Sequence, residues 1–310
     1  MKESVGRKPW ERNFQCPDYG IDLYYNYTGN AEQLGHQLAL SYLVRLPLRR
    51  IEIIREKKKY FNHSLGLGIG LGYNTKTWDL ETNTQSQVIG SHLNAALTIE
   101  YSTQIFSLKK IQVRGGLRLT HYSNGAFSLP NLGTNNIALA LTISQKSEIA
   151  IKKTFGRDNV EKNQRLLVSL TGGLKEIPPP YGKKYGSLTL GVIGERRVSY
   201  KSSFSLGSEV MFNSAVKTLR NRMEEAQTGW EKNAQLSLVM GYGLNFDKLH
   251  LRILQGFYLV NAWQADGTFY QRVTLCYQVT DRIQALLGLK THFAKADHSE
   301  IGIGYTIHGK

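Results

Sequence analysis

Cysteine is scarce. Cys16 and Cys276 are the only two in 310 residues, which excludes a disulfide-dense scaffold; one disulfide or two unrelated thiols both fit. Long apolar runs are absent as well. No stretch approaches the roughly 18–20 uninterrupted apolar residues of a spanning helix, so a helical membrane protein is excluded. Acidic residues are in the minority, 24 Asp plus Glu against 39 Lys plus Arg, for a formal charge of +15. An apolar h-region is also missing. Residues 1–16, MKESVGRKPWERNFQC, show neither a signal peptide nor a lipoprotein cleavage site. Alone, that points to the cytoplasm, but the rest of the chain argues for an exported protein. The expectation is that this start lies inside a longer frame, or that a mature chain begins here, with residues 1–18 an irregular N-terminal segment.

What is present is glycine, tyrosine and evenly spread apolar residues: 30 Gly, 17 Tyr and 41% hydrophobic residues. This distribution is not that of a disordered chain. The basic residues do not form a stripe interleaved with aromatics, which argues against nucleic acid. They sit in short clusters (Arg49-Arg50, Arg55 to Lys59, Lys109-Lys110, Lys152-Lys153, Lys183-Lys184, Arg196-Arg197) where turns would fall. Attraction to an anionic membrane surface suits that distribution better.

The dominant signal is a period of two. In SLGLGIGLGY, Leu65, Leu67, Ile69, Leu71 and Tyr73 occupy one parity, and Gly66, Gly68, Gly70 and Gly72 the other. Successive strand side chains point to opposite faces, so a strand here has one apolar face and one bare face. In a helix each glycine would cost about 1 kcal/mol against Ala. Ile111, Val113, Leu117 and Leu119 alternate with Gln112, Arg114, Gly116 and Arg118. Val273, Leu275, Tyr277 and Val279 stand against Arg272, Thr274 and Gln278; Ile301, Ile303, Tyr305 and Ile307 stand against Gly302, Gly304, Thr306 and His308. About fourteen such segments run along the chain, longer than the five or six residues of an average strand.

Connections alternate too. Those near Ser107 to Lys110, Ser199 to Lys201, Asp247-Lys248 and Thr280-Asp281 are short. Thr75 to Gln87, residues 124–134, Pro178 to Tyr185 and Ser214 to Lys232 are mostly long. Short turns at one end and long loops at the other are the pattern of an up-and-down transmembrane barrel. The second-to-third and sixth-to-seventh connections, the latter about residues 146–163, break it. A soluble sandwich or lipocalin-like barrel would instead turn the apolar parity inward. Strand length, strand number and the Gly, Arg, Gln and Thr on the polar parity favour the membrane. The expected fold is all-β: one antiparallel barrel of about fourteen (12–14) strands over residues 19–310.

Chemistry concentrates in THYSNGAFSLPNLGTNN, residues 120–136. His121 and Ser123 are two apart on a strand and share a face, roughly 6.5–7 Å apart. That face is the apolar one. Two polar groups facing lipid are costly unless they sit at the interface or act there. Asn135 on the next strand shares the apolar parity of Ile137, Leu139, Leu141 and Ile143, and a hairpin brings it beside His121. A Ser–His–Asn set follows, with Asn124 and the Gly125 amide as oxyanion donors. On spacing alone, a His and a Ser near a strand end are more often turn and girdle residues than catalysts.

His121-Tyr122-Ser123-Asn124, followed by Leu129-Pro130-Asn131 and Gly133, resembles the active-site signature of the lipid A 3-O-deacylase family of outer-membrane barrels, also called acyloxyacyl hydrolase-like. The run from Thr120 to Asn136, with GSHLNA at 90–95 and KTHFAKADHSEIGIGY at 290–305, is most similar to the Bacteroidetes branch. The resemblance implies an outer-membrane serine hydrolase that cleaves the 3-O-acyl ester of lipid A in lipopolysaccharide. It implies Ser123 as nucleophile, His121 as base, and Asn124 with Gly125 as oxyanion hole, without a cofactor. The family has Glu where this chain has Asn135; Asn can hold the imidazole tautomer but adds no charge to stabilise imidazolium. Two other readings stay open: a related barrel that no longer catalyses and keeps a structural or lipid-binding role, and an outer-membrane pore or transporter.

The eight histidines show no metal-ligand spacing, and no metal is expected. Gly66 to Gly72 lacks the Lys-Ser/Thr partner of a phosphate loop. Lys290 and His292 fall on the lumen parity, where they could meet an anion. SAVKTLRNRMEEA (214–226) reads as a short helix in an outer loop. The chain ends His-Gly-Lys, without the final aromatic common in outer-membrane barrels.

Overall fold

The apolar parity of each long strand lies on the exposed side. Leu139 is 89% exposed and Ile301 70%, whereas Thr171, Glu195, Ser237, Arg272 and Glu300 are buried on the other parity. This is the inverse of a soluble barrel and the arrangement of one surrounded by hydrocarbon. The structure, a computed structural model, describes residues 1–48, 51–52, 60–108, 111–145, 153–156, 158, 164–223, 233–293 and 295–308. The basic clusters Arg49-Arg50, Arg55 to Lys59 and Lys109-Lys110, most of the 146–163 connection, and residues 224–226 of the expected helix lie outside these.

The chain divides into two units: residues 1–124 with 132–158, and residues 125–131 with 159–310. The first opens with β1 (Lys2–Glu3) and α1 (Pro9–Asn13). Then follow β2 (Asp18–Tyr27), β3 (His36–Pro47), the short β4 (Ile51–Glu52) and β5 (Tyr60–Phe61), β6 (His63–Asn74), β7 (Leu93–Ser107), β8 (Ile111–Ser123) and β9 (Thr134–Gln145). They form a seven-stranded antiparallel sheet in the order β1-β2-β3-β6-β7-β8-β9, with β4 and β5 paired separately. The glycine parity of β6 has a packing purpose. A Cβ on Gly72 would lie 2.5 Å from the Tyr122 ring, so only a bare position admits that ring. Tyr122, Ala39, Ile89 and Ala96 form the small apolar cluster on this inner face.

The second unit holds β10 (Gln164–Glu176), β11 (Lys184–Arg197), β12 (Ser202–Asn213), α2 (Ser214–Arg222), β13 (Ala234–Phe246), β14 (Leu249–Asn261), β15 (Phe269–Gln278), β16 (Ile283–His292) and β17 (Lys295–His308). β10 through β17 make a closed barrel, sealed where β17 pairs with β10, as at Leu170 with Ile303. Closure leaves no unpaired edge, which lipid requires. Charges fill the inside as pairs. Glu195 meets Arg252 at 2.9 Å and Arg165 at 2.5 Å. Arg272 joins Glu209 at 3.1 Å and also Glu300. Tyr270 packs against Gly256, whose Cβ would fall 2.2 Å from the ring.

The all-β antiparallel class holds, and the strand count differs. Seventeen strands form among the described residues, three of them only two residues long; the fourteen long ones do not share one ring. Eight close on themselves, and six belong to the other sheet. Alternation fixes the two faces of a strand but not which strand meets the last one, so the pattern could not count the barrel. The break in loop alternation at 146–163 falls where the chain passes between the units. The expected short turns near Ser199 to Lys201, Asp247-Lys248 and Thr280-Asp281 are present, Lys109-Lys110 of the fourth lie outside the described residues, and α2 occupies the start of the expected helix.

Candidate active site

β8 and β9 pair in register, with His121 opposite Asn135. The buried inner face of β8 carries Thr120 and Tyr122, so His121 and Ser123 fall on the face shared with exposed Leu117 and Leu119. Asn135 lies on the exposed parity of β9 with Ile137 and Leu139. His121 Nδ1 is 2.7 Å from Asn135 Oδ1. An amide oxygen only accepts, so the proton of this bond sits on Nδ1, and a neutral ring then keeps its lone pair on Nε2. Ser123 pairs across the sheet with Ala95 and is half-buried.

The surroundings hold these groups from three sides. Tyr122, fully buried, pins the strand between His121 and Ser123 to the inner face. Gly133 has φ +76°, and a Cβ there would lie 2.7 Å from His121 Cε1, so glycine lets the β9 entry pass along the imidazole. Its N–H donates to Val88 O at 2.8 Å. Asn124 is buried and donates through Nδ2 to Ser91 Oγ at 2.8 Å. Ser91 Oγ in turn donates to Asn94 Oδ1 at 3.1 Å, which gives the GSHLNA segment a place in the site.

Residues 125–131 follow β8 in the chain, yet their contacts group them with the second unit. Gly125 has φ +62°, and a Cβ there would collide with Ser299. The Leu129 N–H donates to Glu176 Oε2 at 2.8 Å, and Lys184 Nζ reaches the same carboxylate at 3.1 Å. Glu176 N–H donates to Ala126 O at 2.9 Å. Sequence pattern places Lys184 only in a basic turn cluster and gives Glu176 no role; a carboxylate at a strand end resembles any solvated turn residue until its partners are seen.

Residues 2–144 match the family model described as lipid A 3-O-deacylase (PagL), and residues 164–309 match acyloxyacyl hydrolase, C-terminal domain. The chain belongs to the lipid A 3-O-deacylase and acyloxyacyl hydrolase family. Within it, the deacylase match covers β1 to β9 and the C-terminal match covers the closed barrel of β10 to β17. No curated protein matches the chain. Among solved structures, a designed transmembrane β-barrel is similar at 13% identity over 48% of this chain and 98% of its own, with TM-score 0.29. A porin variant of Rh. blastica is similar at 8% identity over 94% of this chain and 99% of its own, with TM-score 0.21. Scores this low bear on neither topology nor function.

Away from the family motif, Asp266, His292 and Asp297 bring ligand atoms within 4.8 Å of one another. Two of these side chains, Asp297 and His292, already have close protein partners. Asp297 meets Lys290 at 3.1 Å and also Lys175, and His292 Nε2 is 2.9 Å from the Tyr258 hydroxyl. Burial, and then the Asp297 carboxylate, push the Asp266 carboxyl above its usual range. The anion beside Lys290 is therefore the protein's own Asp297. Cys16 and Cys276 are both buried and are not joined to each other.

Proposed function

We propose that this chain is an outer-membrane serine esterase that removes the ester-linked 3-O-acyl chain from lipid A of lipopolysaccharide. The observation that carries the reading is the 2.7 Å His121–Asn135 bond on the lipid-facing side of β8 and β9, on the same strand face as Ser123. A soluble esterase keeps its nucleophile in a cleft. Here the substrate is itself a membrane lipid and arrives from the side.

In this reading His121 Nε2 accepts the Ser123 hydroxyl proton as Oγ attacks the acyl carbonyl. The Asn124 amide and the Gly125 N–H receive the developing oxyanion, with Ser91 fixing the Asn124 side chain. His121 returns the proton to the departing sugar oxygen, and water then hydrolyses the acyl-enzyme by the same route in reverse. Asn135 holds the ring and its tautomer. Because Asn135 carries no charge, the imidazolium is less stabilised than beside the family's Glu, and slower turnover is expected.

A pore reading would need a water-filled lumen. The ion pairs of Arg252, Arg272, Glu195, Glu209 and Glu300 inside β10–β17 speak against one. The esterase test is mass spectrometry of lipid A from cells expressing wild type or Ser123→Ala. Loss of one ester-linked acyl chain with wild type alone is the expected result. No loss with wild type, or equal loss with the variant, removes the reading.

A further inference from the structure

At the other end of β8 from His121, the first unit holds a partly open cavity of about 590 Å³. It lies roughly 23 Å along the strand from the imidazole, at about 3.3 Å per residue. Arg114 stands in its wall, only 8% exposed, on the inner face of β8. Its Nη2 donates to Ser64 Oγ at 2.5 Å, Asn62 O at 3.1 Å and Ser102 O at 3.2 Å, and its Nε donates to Ser102 Oγ at 3.3 Å. All these acceptors are neutral, and Nη1 makes none of the bonds. Among the described residues no carboxylate forms an ion pair with Arg114.

The neighbouring arginines differ. Arg45 is matched by Glu100 at 2.8 Å, and Arg118 by Asp22. Among the described residues the lining contributes Arg45, Arg114 and the half-exposed Lys153, and one carboxylate, the half-exposed Asp18. Pro47, Leu48 and Phe155 add an apolar wall. Asp18 and Glu100 act on Arg114 only through space, so the guanidinium has no contacting carboxylate among the described residues, and its planar fork matches a carboxylate in shape. We propose that this cavity binds a small amphiphilic carboxylate, its head on Arg114 and its apolar part against Pro47, Leu48 and Phe155. The proposal is independent of the esterase reading, because it concerns the end of the sheet away from Ser123.

The test is isothermal titration of the full chain, in a non-ionic detergent, with octanoate and separately with inorganic phosphate. Saturable one-to-one octanoate binding to wild type is expected, with phosphate clearly weaker. Arg114→Met should weaken octanoate by at least about tenfold, and Lys153→Gln by about threefold. Absence of saturable octanoate binding to wild type overturns the proposal, as does phosphate binding as tightly as octanoate. Heat-modifiability on gels checks the fold of Arg114→Met. If that variant does not fold, Lys153→Gln decides, and unchanged octanoate affinity there overturns the proposal. Ser123→Ala should bind octanoate like wild type, which keeps this result separate from loss of the esterase.

Discussion

Replacing Asn135 with Asp changes one atom's charge and almost nothing else in shape. The Asn135 oxygen already lies 2.7 Å from His121 Nδ1, so the carboxylate of Asn135→Asp would occupy a hydrogen bond that exists. The new negative charge would stand about 4 Å from the centre of the imidazolium formed in the transition state. At that distance two charges interact by about 1 kcal/mol in water and about 4 kcal/mol at the edge of a protein. Both residues sit where β8 and β9 meet their loop, at the watery edge of the membrane in the proposed reading, so the lower part of the range applies, about 1–2 kcal/mol. That corresponds to a rise of roughly 5–30-fold in kcat, since each 1.36 kcal/mol is a factor of ten. KM should stay constant, because the gain exists only once the ring is charged. The assay is initial-rate acyl release from purified lipid A in mixed micelles, with fold checked by heat-modifiability. A wild type without turnover and a variant that acquires it would carry the same meaning. A folded Asn135→Asp variant with wild-type or lower kcat would refute the idea that position 135 acts on the imidazole.

Four further outcomes follow from the geometry. The Tyr122 hydroxyl is buried without a hydrogen-bond partner, so Tyr122→Phe should raise stability by about 1 kcal/mol in urea unfolding from lipid vesicles, whereas Tyr122→Ala should lower it by about 3–5 kcal/mol; destabilisation by Phe would contradict the packing. Glu176→Ala removes the acceptor of the Leu129 N–H and the partner of Lys184, so protease nicking within residues 126–131 should rise several-fold, and unchanged nicking would show that the loop is held otherwise. Arg272→Met strands Glu209 and Glu300 inside the barrel at a cost of about 3–5 kcal/mol, and the wild-type chain should give no steady conductance in planar bilayers; a stable open channel would mean that the lumen is not filled. Hydrogen bonds from Arg12, and then from Asn13, hold the Asp158 carboxyl below its ordinary value of 3.8, so the stabilisation is present above about that pH and fades as pH falls through the lower folded value; the stability gap between wild type and Asp158→Asn should be open at pH 5–7 and close in acid, and a gap that widens in acid would reverse the sign.

Which residues share the candidate face was legible because that rests on parity. His121, Ser123 and Asn135 share the parity of Leu117 and Ile137, and a period of two leaves no freedom about which residues lie together on a face. The hairpin supplied the remaining step, since β8 and β9 are joined by one loop and must pair. The contributions of Ser91, Val88 and Glu176 were not legible. They reach the motif through long-range hydrogen bonds, and nothing in local spacing records a donor that far away in sequence. Barrel size was hidden for a related reason. The fourteen long strands obey the same alternation whether they belong to a ring of eight or to an open sheet, and the information lies in one pairing, β10 with β17.

Orientation was the question that alternation could not answer, and the charged residues answer it. A soluble barrel would send Arg272, Glu209, Glu300, Arg252 and Glu195 to water, where each is solvated at no cost. Here all five are buried and joined in pairs, while Leu139, Ile301 and Ile303 are left bare. Burying that many ions while exposing that much hydrocarbon would be unstable in water on both counts. Surrounded by lipid, the exposed leucines and isoleucines become the solvated groups, and the paired ions become an interior that needs no water. The same inversion accounts for His121 and Ser123. On an outward face in water they would be ordinary surface residues, whereas on an outward face in lipid they stand, in the proposed reading, where an ester bond of a neighbouring lipid can reach them.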